Sequence, residues 1–207
     1  MIAAVVALLT LAATRGVRAA ERPPALEWRL ARTTDGIDAW AAEGPEEFWG
    51  FARGTVAAPA DAILARITNF ELLPQLSSRL RDVRVLERGD DTALVYFHYD
   101  LPWPLSDRSY TVWHHWGRDA SGVLFLDVDD ANDRGPPPDG TVRVRDFLVR
   151  IRLWPTPDGG TTLVEYLFRA DLAGYLPRTV RAQTAWKIPL NAVLSMRRSL
   201  EPRYASR

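Results

Sequence analysis

The sequence predicts an α+β fold in which an antiparallel sheet packs against one long C-terminal helix. Three observations lead there. Segments between Val83 and Ala170 alternate apolar and polar residues with the period of two that marks half-buried strands. Their connections are turn-rich, as in Gly89-Asp90-Asp91, Ala120-Ser121-Gly122 and Pro155 to Gly160. A helical pattern then runs from about Pro177 to Glu201, with Val180, Thr184, Ile188 and Val193 near one side. Strands joined by hairpins and followed by one helix place that helix across the sheet's concave face. A pocket can form between the two.

The composition is that of a single globular domain: 207 residues, 47% hydrophobic and 25% charged. Basic and acidic residues number 26 each, which argues against a nucleic-acid partner. The absence of cysteine excludes disulfides, thiolate metal sites and Cys nucleophiles. Three histidines, His98, His114 and His115, are too few for a His-rich zinc site, so no metal is expected.

Ile2 to Thr14 is an apolar run, shorter than the roughly 20 residues that span a bilayer. It matches a signal-peptide core, and the small residues Ala19 and Ala20 suit cleavage. Residues 1–20 are therefore expected to be a signal peptide, 21–207 the mature domain, and the protein exported to a periplasm. The alternatives are a cytoplasmic protein whose fold includes that segment, and an uncleaved membrane anchor.

Along the chain, Ala25 to Arg32 reads as a short helix broken by Gly36. Ile37 to Ala42 and Phe48 to Val56 read as strands about a Gly44-Pro45 turn. Pro59 suits the first turn of a helix reaching about Asn69, and Leu72 to Leu80 reads as a second helical piece. Strands follow at Val83 to Glu87, Ala93 to Leu101, Ser109 to Trp116, Val123 to Asp129, Thr141 to Trp154 and Thr161 to Ala170. The closing helix contains Pro189, which is expected to kink it.

Alternation sorts the strand faces. Val95, Phe97, Tyr99 and Leu101 lie on one side, opposite Tyr96, His98 and Asp100, which read as solvent-facing. Tyr110, Val112, His114 and Trp116 share a face, as do Leu124, Leu126 and Val128. Phe147, Val149, Ile151 and Leu153 oppose Asp146, Arg150 and Arg152. Val164, Tyr166 and Phe168 oppose Glu165 and Arg169. The result is one broad apolar wall with polar handles at Tyr99, Tyr110, His114, Tyr166 and Arg145. Filled core is the commoner fate of such a wall. Several polar groups on an apolar inner face fit a ligand site.

Four passages bear a family resemblance. Pro102-Trp103-Pro104-Leu105-Ser106-Asp107-Arg108-Ser109-Tyr110 resembles the P-x-P-x-x-D-R-D-φ passage of START domains, the StAR-related lipid-transfer family. Gly140-Thr141-Val142-Arg143 is similar to its G-x-V-R strand start. Asp171 to Pro177 is similar to its D-x-x-G-x-x-P turn before the last helix, and Asp35-Gly36-Ile37 to its early D-G turn. The resemblance covers about Leu26 to Leu200. It implies a helix-grip fold, a curved antiparallel sheet around a long C-terminal helix with an internal hydrophobic cavity. It further implies binding of a lipid or other apolar small molecule without a cofactor. In cholesterol carriers of the family a buried basic residue falls where His114 stands. Its acidic partner would lie near Val95 or Tyr96, and neither is acidic, so the sterol-type ion pair is missing.

The candidate wall is Phe97, Tyr99, Tyr110, Val112, His114, Leu124, Leu126, Phe147, Val149, Tyr166 and Phe168, roofed by Val180, Thr184 and Ile188. No catalytic residue is assigned. The expected protein is a monomeric, non-enzymatic carrier with transient membrane contact. Asp107 and Arg108 read as a strand-edge ion pair, Gly174 and Pro177 as turn and helix-start residues. Trp103 reads as packed under its loop, the alternative being a membrane contact. One rival is a cyclase- or aromatase-like enzyme using His114 with Tyr110 or Tyr166. Another is a regulatory interaction module with a filled core.

Overall fold

A computed structural model describes residues 22–23, 25–44, 47–76, 79–174 and 176–201. The expected signal peptide, residues 1–20, lies outside them. The strands are β1 Arg29–Thr34, β2 Ile37–Glu43, β3 Phe48–Val56, β4 Leu80–Arg88, β5 Thr92–Tyr99, β6 Arg108–Arg118, β7 Leu124–Asp130, β8 Val142–Arg143, β9 Arg145–Pro155 and β10 Thr162–Asp171. The helices are α1 Ala60–Ile67, α2 Leu73–Leu76 and α3 Arg178–Leu200. One antiparallel sheet runs β1-β2-β3-β10-β9-β7-β6-β5-β4, and the short β8 pairs parallel to β6.

Two local expectations are corrected. Ala25 to Arg32 is not a helix: its second half enters β1, which pairs with β2. Asp35 (φ 52°) and Gly36 (φ 70°) are both left-handed and close this hairpin in two residues, the geometry that favours Asp-Gly. The strand expected over Thr141 to Trp154 is two pieces. Val142 and Val144 donate backbone hydrogen bonds to Asp107 and Ser109, so β8 follows β6 before β9 begins, with a left-handed Asp146 (φ 51°) at its second residue.

Inner-face side chains of β2, β3, β5, β6, β7, β9 and β10 form one continuous core with α1 and α3. α3 lies over β3, β2 and β10. Its seat is set by Pro189 and Gly50. Proline lacks an N–H, so the Ala185 carbonyl loses its intrahelical partner. That carbonyl points at Gly50, where an added Cβ would stand 1.9 Å from the oxygen. Only the glycine Cα–H fits, in a weak C–H···O contact. The helix continues through Pro189. Its far end is pinned by Arg197, which donates to the carbonyls of Thr55 (2.7 Å) and Asp35 (2.6 Å), while Glu201 accepts from the Ala57 amide at 3.0 Å.

Candidate functional site

The concave face carries a continuous aromatic array. Tyr110 is its centre, stacked on Phe147 at 4.5 Å, Phe97 at 5.0 Å and Tyr99 at 6.2 Å between ring centroids. Phe147 meets Phe168 at 5.6 Å, and Phe168 meets Phe48 at 5.7 Å. Antiparallel register explains the order: Phe97 pairs with Tyr110, and Phe168 with Val149. Neighbouring strands then present same-face residues side by side. His114 extends the array, 6.0 Å from Phe97 and 4.7 Å from Phe70.

All the expected wall residues except Val180 and Thr184 come together here. Phe97, Val112, Leu124, Leu126, Val149 and Phe168 are buried core. Tyr99, Tyr110, Phe147, Tyr166 and Ile188 are half-buried and pack against it. Val180 and Thr184 are half-buried on α3, Val180 not among the apolar residues packed on that cluster and the Thr184 hydroxyl bonded to the Val180 carbonyl at 2.7 Å. The helix buries Ala185, Leu190, Val193 and Met196 instead. Arg145 is not an inner handle, because it pairs with Asp171 at 2.7 Å. Tyr96 is not solvent-facing. It is 4% exposed, and the Arg84 guanidinium lies 4.4 Å over its ring.

The polar groups of the wall are neutral. Burial pulls the His114 pKa down to about 3, the backbone at Ala93 and Val112 opposing only in part. His114 is 7% exposed, and its Nδ1 has no hydrogen-bond partner. Burial pushes the Tyr110 and Tyr166 hydroxyls up, reinforced at both by Tyr99.

At the Tyr99 end of the array, the Asp107-Arg108 pair separates. Adjacent strand residues face opposite ways. Asp107 accepts from the Leu101 amide, and its other oxygen lies 2.8 Å from His98 Nε2 and 3.8 Å from Arg81. The His98 hydrogen bond is the main cause of a lowered Asp107 pKa. Arg108, 4% exposed, donates to the carbonyls of Leu172 (2.7 Å), Ser106 (2.5 Å) and Ala173 (3.1 Å). The two sequence passages around Asp107-Arg108 and Asp171-Gly174 therefore meet through one guanidinium. Gly174 (φ 63°) turns the chain and Pro177 caps α3. Trp103 does not pack under its loop: it is 92% exposed.

An open groove of about 820 Å³ lies on another flank, between β1, β2 and the first half of α3. Leu26, Arg29, Glu43, Phe48, Arg181 and Trp186 are among its lining residues, and none of the expected wall residues is. Sequence reasoning left Phe48 and Phe70 off the wall. Phe48 shares parity with the inner-facing Ala52 and was readable by alternation. Phe70 sits in a single 3₁₀ turn, where no periodicity exists to place it.

The START domain family model matches residues 77–199. An uncharacterized protein of Pseudomonas aeruginosa is 21% identical over 179 residues, covering 86% of this chain and 88% of that one. Among solved structures, the STAR-related lipid transfer protein of Xanthomonas axonopodis superposes with a TM-score of 0.74 at 20% identity, over 83% of this chain and 97% of that one. Human StAR-related lipid transfer protein 5 gives 0.74 at 15% identity, over 86% and 88%. The antiparallel sheet of nine strands, extended by the short β8, around a C-terminal helix is the helix-grip arrangement of these structures, and the chain belongs to the START domain family.

Proposed function

We propose that this protein binds a lipid or other apolar small molecule on its concave face, between α3 and strands β5, β6 and β9, and carries or presents it unchanged. One observation supports this above all. Tyr99, Tyr110, Phe147 and Tyr166 stand mid-wall yet are only half-buried, while α3 is seated over β3, β2 and β10. An apolar ligand covering such surface gains about 25 cal/mol per Å² removed from water. Fold neighbours named as lipid transfer proteins support the same reading.

A carrier is favoured over a cyclase-like enzyme by the state of His114. A general acid or base works best with a pKa near the operating pH. Burial holds His114 at about 3, neutral and far from that range. Native mass spectrometry of the protein as purified, followed by lipid extraction, tests the proposal. A bound lipid recovered unaltered is the expected result. Recovery of a chemically modified product after incubation defeats the carrier reading, and a protein that takes up no apolar ligand defeats the cradle itself.

Delivery would involve membrane contact through Trp103, whose exposed indole suits an interface. Liposome-to-liposome transfer by Trp103→Ala should fall at least several-fold, and unchanged transfer removes this role. Export rests on the N-terminal segment alone. N-terminal sequencing of the expressed protein should begin after Ala19 or Ala20, and an intact leader refutes cleavage.

A further inference from the structure

The wall's polar handles share one property, and it bears on the class of ligand. Tyr110, Tyr166 and His114 offer hydroxyl and imidazole groups that are uncharged at neutral pH. Four charged side chains at the margins of this face are engaged elsewhere. Arg88 lies 5.7 Å over the Phe70 ring, and Arg145 is paired with Asp171. Asp130 accepts from the backbone amide and side chain of Asn132 at 2.9 and 2.8 Å. Arg108, nearest the centre, is buried behind the Ser106, Leu172 and Ala173 carbonyls.

A ligand lying along the array thus finds none of these four free as a counter-charge. Burying an ionised or zwitterionic headgroup there leaves charge unpaired, which is far costlier than burying a hydroxyl that finds a hydrogen bond. A hydroxyl, carbonyl or ester oxygen suits the phenols, which can donate to it.

We propose that the ligand is an uncharged lipid whose polar group is a hydroxyl, carbonyl or ester, and that the cradle selects against ionised and zwitterionic lipids. This rests on the carrier reading above and adds the headgroup chemistry to it.

The test uses three probes with one twelve-carbon tail: dodecanol, dodecanoate and dodecylphosphocholine. Each is offered below its aggregation concentration to the delipidated protein, in equilibrium dialysis at pH 8. Dodecanol should bind saturably, one per chain, and at least about ten-fold tighter than either competitor. Saturable binding of dodecanoate or dodecylphosphocholine within ten-fold of the alcohol overturns the headgroup inference and leaves the cradle standing. No saturable binding of any probe overturns both. The Tyr110→Phe/Tyr166→Phe double variant, which keeps the rings, should weaken dodecanol several-fold and leave dodecane unchanged. Unaltered dodecanol affinity in that variant removes the phenols as the selecting groups.

Discussion

The Arg108 Nε–H donates to the Leu172 carbonyl at 2.7 Å, across 64 residues of sequence. With Ser106 and Ala173 as further acceptors, this guanidinium joins the loop bearing Trp103 to the turn that launches α3. No carboxylate of the described residues pairs with it; backbone dipoles hold its charge.

Removing that clamp leaves three carbonyls without their donor in a buried corner. Arg108→Ala should cost about 3 kcal/mol or more, since hydrogen bonds to charged groups contribute about 1.5–3 each and do not simply add. Urea unfolding measures it. A loss under about 1 kcal/mol would mean that water replaces the guanidinium at no great penalty. Arg108→Lys should recover only part, because an ammonium lacks the planar fork.

His114 should make the fold acid-sensitive. Its folded pKa is about 3 against 6.5 for the free side chain. Between those values the unfolded chain binds a proton that the folded chain does not. Stability is therefore complete above about pH 6.5 and declines as pH falls towards 3, by up to about 1.4 kcal/mol per unit from this group. Carboxylates such as Asp107 add their own acid loss, so the comparison is with His114→Leu. Across pH 7.5, 6, 5 and 4 the unfolding free energy of the wild type should fall relative to that of the variant. Parallel curves contradict a buried neutral imidazole.

The far end of α3 carries a buried ion pair, Arg197 and Glu201, whose closest approach is 3.7 Å. Arg197→Met alone should cost about 3–5 kcal/mol, because it leaves a buried carboxylate without its cation. Adding Glu201→Gln should restore part of that loss, and a strictly additive double mutant would show that the two side chains act independently.

Gly50→Ala should destabilise by about 1–3 kcal/mol, the usual cost of overpacking, since its Cβ collides with the Ala185 backbone rather than with a movable side chain. Thermal unfolding measures it. Gly36→Ala is a useful contrast: nothing crowds its Cβ, and any loss there comes from the left-handed backbone alone.

Much of the wall was legible in the sequence because strand faces alternate with a period of two. Phe97, Tyr110, Leu126, Val149 and Phe168 share the core for that reason. The early segment misled because Leu26, Glu27, Arg29 and Leu30 are good helix formers. Pairing with β2 overrode that preference, and Asp35-Gly36 was the available sign of a hairpin. The close approach of α3 to β3 was not legible because it is made by the Ala185 main chain, which gives no hydrophobic signal. Arg108 was assigned to its sequence neighbour, although consecutive strand residues point apart. Its real acceptors are carbonyls far along the chain, and carbonyls leave no mark in a sequence.

The contact between Gly50 and the Ala185 carbonyl sets how the interior can change over evolution. The depth of the helix is fixed there by main chain against main chain, so the clearance beneath α3 does not depend on which side chains line it. Wall residues such as Phe147 or Val149 are then open to exchange, each reshaping the wall without moving the helix. Position 50 has no such latitude: a larger residue there raises or tilts the whole helix, and every contact beneath it shifts at once. Exchange can proceed residue by residue across the wall, while the seat of the helix changes only by a step.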